Sequence, residues 1–180
     1  WFEVYAPSRD VDLNGLLVGD AESPGSSVGG SETCLTVTAG SYAVLARKTD
    51  PALNGGLDVK TSFSKGLTNS GGTIALRVGE TVVDAATYGT APAGKSLQLS
   101  ENVFDPAAND SATGFCPATA SMPNGDFGTP GAVNGACPVP QPEGHCATPG
   151  SGVSRPIVAP AAGDLVINEV MANPDAVSDT

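Results

Sequence analysis

Apolar residues along this chain recur mainly with a period of two, and the spacing of an amphipathic helix is rare. The clearest case is residues 73–78, where Ile74, Leu76 and Val78 fall on one face of an extended segment. A Gly79-Glu80 turn followed by a second strand-like run, 82–88, predicts a hairpin. Shorter runs predict strands over 1–5, 11–18, 35–37, 42–45 and 96–99, with Asn14-Gly15 making a sharp turn between Leu13 and Leu16. Residues 57–63 alternate weakly. Residues 19–33 and 50–56 read as loop or turn, and 101–136 as irregular. About eight short strands separated by turn residues predict an all-β chain, an immunoglobulin-like β-sandwich.

The pattern lapses over 138–162. That stretch holds six prolines, several Gly and Ser, and few residues able to fill a core. It is expected to be a semi-extended Pro-rich linker. The sandwich is therefore placed in 1–137, and the last segment is 164–180. There the alternation resumes, with Leu165 and Ile167 on one face and Val166 on the other, which predicts a strand within 164–172. The runs Trp1-Phe2-Glu3-Val4-Tyr5 and Leu165-Val166-Ile167-Asn168-Glu169-Val170-Met171 read as successive strands of one module, the tail running into the head. The expectation is a sandwich in 1–137 that lacks its first strand. The C-terminal segment would complement it, in the same copy or a neighbour, and bury Leu165, Ile167 and Val170.

Charge narrows the partners. Lys and Arg number 8 against 19 Asp and Glu, a net charge of −11, which repels phosphate backbones and argues against nucleic acid. No run reaches the ~18 apolar residues of a membrane span. The four cysteines, Cys34, Cys116, Cys137 and Cys146, form no Cys-x-x-Cys pair, and two disulfides in an oxidising compartment fit better than zinc. Three pairings are open. The favoured one joins Cys116 to Cys137 across a Gly- and Pro-rich stretch without strong strand signals, and leaves Cys34 for Cys146.

Candidate chemistry is sparse. The single histidine, His145, sits in the Pro-rich stretch, where nothing preorganises a catalytic base. The aromatics that accompany sugar cleavage are scarce, so no enzyme is expected. The oxygens of Glu169, Asn173, Asp175 and Asp179 suit Ca²⁺ as hard ligands, and in an intact module they would fall beside Glu3. The same residues equally build a turn through side-chain bonds to local backbone, and no regular ligand ladder is present. Residues 105–110 are a second, weaker acidic loop. Asn109-Asp110-Ser111 is a glycosylation sequon. Trp1 and Tyr5 read as core or semi-core residues rather than an adhesive face.

A string of these segments resembles the bacterial lamin-tail domain family. It comprises Leu165-Val166-Ile167-Asn168-Glu169-Val170-Met171 with Asn173-Pro174, then Trp1-Phe2-Glu3-Val4-Tyr5, Val11-Asp12-Leu13-Asn14-Gly15 and Ala39-Gly40-Ser41-Tyr42-Ala43-Val44-Leu45. Asn69-Ser70-Gly71-Gly72 and Gly128-Thr129-Pro130-Gly131-Ala132-Val133-Asn134 complete it. The resemblance covers 1–137 and 164–180 in permuted order, since the Ile-Asn-Glu strand comes first in the family. It implies an immunoglobulin-like sandwich without enzymatic chemistry, in secreted or surface proteins. The function expected is a structural repeat unit or filament subunit outside the cell, joining copies of itself head-to-tail by strand complementation. The other reading is a protein- or surface-binding module of a larger secreted protein.

Overall fold

Short strands joined by tight turns make up nearly all the regular structure. The computed structural model of the chain describes residues 1–30, 33–138, 142–148, 153–166 and 168. Two units are distinguished, 1–138 and 139–180. Within the first, the strands are β1 (Phe2–Ala6), β2 (Val11–Asp12), β3 (Leu17–Gly19), β4 (Ser26–Ser27), β5 (Thr36–Val37) and β6 (Ser41–Ala46). They continue as β7 (Thr61–Ser62), β8 (Gly72–Val78), β9 (Thr81–Tyr88), β10 (Leu97–Gln98) and β11 (Cys116–Pro117). The chain is all-β: the only helical pieces among the described residues are one α-turn, Pro51–Asn54, and two 3₁₀ turns, Pro106–Asn109 and Ala112–Gly114.

Two sheets dominate. One has the order β1-β6-β7, the other β4-β3-β8-β9. The long pairs are antiparallel, with Val4 opposite Ala43 in the first sheet and Ile74 opposite Ala86 in the second. The predicted hairpin over 73–88 is present as β8–β9, with a bulge between Leu76 and Arg77. Phe2, Val4 and Ala6 from β1 meet Ala43 and Leu45 from β6, Val18 from β3, and Ile74 and Leu76 from β8 in one apolar cluster. Period-two patterning thus delivers the same face of several strands to one core. Leu45, Val18 and Val28 are fully enclosed. Each such side chain contributes about 1.5–3 kcal/mol by leaving water.

Local chemistry explains the departures from the sequence reading. Residues 11–18 do not form one strand. Leu16 N–H bonds Leu13 C=O at 3.1 Å around Asn14-Gly15, separating β2 from β3. Residues 50–56, expected as loop, hold one helical turn because Asp50 accepts from Ala52 N–H at 3.0 Å, Pro51 starts the turn and Gly55 closes it at φ 79°. The β3–β4 hairpin requires Gly25, at φ +74° and so close to Val18 that a Cβ would lie 1.9 Å from its carbonyl oxygen.

The second unit contains a small hairpin, β12 (His145–Ala147) with β13 (Ser154–Pro156), where the sequence reading expected a semi-extended linker. Its bonds are backbone ones: Thr148 N–H to Val153 C=O at 2.9 Å and Ile157 N–H to Gly144 C=O at 2.7 Å. No apolar alternation announces such a pairing, because Ile157 and Val158 stay exposed. Of the strand expected within 164–172, residues 164–166 and 168 are described and carry no strand; the rest lies outside the described residues. Among the described residues, no helix is long and apolar enough to cross a membrane.

Candidate functional site

β1 is an edge strand. It pairs with β6 on one side and, among the described residues, has no sheet neighbour on the other. Alongside it runs a groove of about 1530 Å³, lined among others by Val4, Tyr5, Ile74, Leu76, Leu97 and Leu99. The size exceeds the ~300–1000 Å³ of ordinary small-molecule pockets. Val4, Ile74, Leu97 and Leu99 are only half-buried, so apolar surface and unpaired backbone coincide there.

The two faces of β1 do different work. Phe2 turns into the core and meets the Phe63 ring edge-on at 4.9 Å between centroids. Tyr5 lies between two rings, Tyr42 at 4.6 Å and Phe104 at 4.5 Å. The Tyr42 contact follows from strand register, since these residues are directly opposite. Glu3 accepts a hydrogen bond from Gly131 N–H. Burial disfavours its charged form and pushes its carboxyl up to about 7, partly opposed by the Gly131 bond. Burial raises the neighbouring Tyr42 hydroxyl, with smaller contributions from Tyr5 and Glu3.

The second wall of the groove is the segment around β10, which among the described residues pairs only with β11. Covalent and polar ties hold it. Cys116 of β11 is bonded to Cys137, with 5.7 Å between their Cα atoms, as the favoured pairing anticipated. Cys137 N–H donates to Ser100 Oγ at 3.0 Å, and the buried Gln98 amide donates to Gly135 C=O at 2.8 Å. Just before β10, Ser96 N–H bonds Phe127 C=O at 2.9 Å.

The other residues singled out by sequence fall as follows. Cys34, in the first unit, and Cys146, in the second, both carry free thiols. Cys34 is exposed and hydrogen-bonds the Asp12 carboxyl, which raises the thiol above its ordinary value. Leu165 is exposed, while Ile167, Val170, Glu169, Asn173, Asp175 and Asp179 lie outside the described residues. Among the described residues no group of three His, Cys, Asp or Glu is placed to hold a metal ion. Asp105 caps a 3₁₀ turn by accepting from Ala107 N–H at 3.0 Å. The sequon Asn109 is half-buried, and its amide nitrogen donates to Asp84 Oδ2 at 2.9 Å, so a glycan there would have to break that bond. His145 Nδ1 lies 3.2 Å from the Glu143 C=O two residues before it.

Sequence alone assigns no chemistry to Glu3 and no functional role to residues 97–98. The available signal was Glu3's position, one carboxylate flanked by apolar strand residues. No protein-family model, curated protein or solved structure matches the chain.

Proposed function

We propose that this chain is a non-enzymatic structural module of lamin-tail type, an immunoglobulin-like β-sandwich that assembles head-to-tail outside the cell by strand complementation. The carrying observation is the large apolar groove along the unpaired edge of β1. A sheet edge with unpaired N–H and C=O groups beside apolar surface is a template for an added strand. The occupant is the 164–172 segment of a second copy. Its alternating Leu165, Ile167 and Val166 match a half-buried strand, and Leu165 and Val166 are 76% and 84% exposed and available to a partner. One groove and one donor per chain make a heterologous contact, which propagates instead of closing.

The sandwich reading draws on the shared core of the two sheets, and the family reading on the motif string described above. The Cys116–Cys137 bond supports an oxidising compartment. The reading needs no catalytic group.

The test is concentration-dependent light scattering of the full chain beside the Ile167→Asp variant. The wild type is expected to form linear oligomers, and the variant to stay monomeric because a charge enters an apolar groove. A variant that assembles like the wild type, or a wild type that is monomeric at every concentration, would overturn the proposal.

A further inference from the structure

The groove has two strand walls, and each has a single partner. Among the described residues, β1 pairs only with β6, and β10 only with β11. Both line the same cavity. The remaining long edge, β9, has the two 3₁₀ turns packed against it, with Asn109 bonded to Asp84. β1 and β10 therefore both border the groove, each with one side that no described strand covers. The β10 wall is preset by the disulfide and by the Gln98 and Ser100 bonds, all of which lie within 1–138 and need no occupant. Preset edges lower the ordering cost of docking.

Resting on the strand-complementation reading, we infer that the donated segment is a bridging strand. It hydrogen-bonds to β1 on one side and β10 on the other, so that β7, β6, β1, the donated strand, β10 and β11 become one continuous sheet. Simple edge addition would use one ladder; a bridge uses two. The partner is the 164–172 segment of another copy. Of its alternating positions, one set enters the apolar side near Val4, Ile74 and Leu76, and the other faces the Tyr5 side.

The experiment uses the full-length Ile167→Asp chain, which cannot donate its own strand, and a synthetic peptide of residues 164–174 as the probe. Amide hydrogen exchange is read residue by residue, with the Ile167→Asp peptide as control. Bridging predicts slowing of at least about tenfold, as expected for newly formed ladder bonds, at alternate amides of β1 and also at Leu97 or Leu99, with β9 unchanged. Slowing confined to β1 would overturn the bridge and leave docking intact. No slowing anywhere, or slowing on β9 alone, would overturn both the bridge and the docking reading beneath it.

Discussion

The two walls of the groove are held by different physics. β1 has five residues, a full antiparallel register with β6, one side chain in the core and two packed against it. β10 has two residues and is kept in place by a disulfide, a buried glutamine and a serine hydroxyl. One edge is positioned by apolar burial distributed over many contacts. The other is positioned by a few specific ties. Distributed burial tolerates small changes anywhere but fails when its centre is hollowed, whereas a stapled edge fails locally when the staple is cut.

Hollowing the centre is expected to have the largest effect. Leu45 is fully enclosed behind β1, and Leu45→Ala should cost about 3–5 kcal/mol in chemical denaturation, from lost transfer energy and the cavity left behind. A loss below about 1 kcal/mol would mean that the β1 wall does not depend on this core.

Cutting the staple comes next. Cys116→Ser with Cys137→Ser opens a loop with a sequence separation of 21, and about 3 kcal/mol of stability should go. The contrast lies in where the loss appears. Amide exchange around β10 should accelerate far more than in β1. Equal acceleration at both walls would erase the distinction between them.

Glu3 tests the β1 wall by pH. Its folded-state pKa is raised from 4.5 to about 7, so the folded state disfavours the carboxylate. The stability it permits is fully present below 4.5 and is lost as pH rises through about 7. Glu3→Gln removes that loss and still offers Gly131 an acceptor. The variant should match the wild type at low pH and exceed it by about 1–2 kcal/mol above the window, allowing for partial exposure. Parallel thermal-melting curves across the window would contradict this.

The smallest expected effect lies away from both walls. Asp20 bonds Lys65 Nζ at 2.8 Å and two backbone N–H groups, with the Lys65 bond the largest cause of a carboxyl depressed to about 2. Its contribution is present above the ordinary value of 3.8 and is lost as pH falls through about 2. Asp20→Asn should flatten only that acidic limb, leaving exchange at β1 and β10 unchanged. A change at either wall would show that this loop is coupled to the groove.

How much was legible follows from the same contrast. Ile74, Leu76 and Val78 announced β8, and Gly79-Glu80 the turn after it. Cys116 and Cys137 were paired from the weak strand signal between them, which matches the bond observed. The hairpin β12–β13 was not legible, because backbone bonds around Gly144 hold it and its apolar residues remain exposed. Nor was the role of β10: Leu97-Gln98 is too short to carry a periodic signal.

The sequence by itself determined the strand class and the face of β8 on which Ile74 and Leu76 enter the core, but it read Trp1 and Tyr5 as the core face of β1, whereas Phe2, Val4 and Ala6 pack there. Strand class and facing are local properties, set by side-chain alternation and turn chemistry. Only the tertiary structure decided that β1 and β10 border one groove and that Glu3 is desolvated beside Gly131. Each of these depends on which distant segments meet, and a period of two specifies which face a residue takes but not which neighbour it finds.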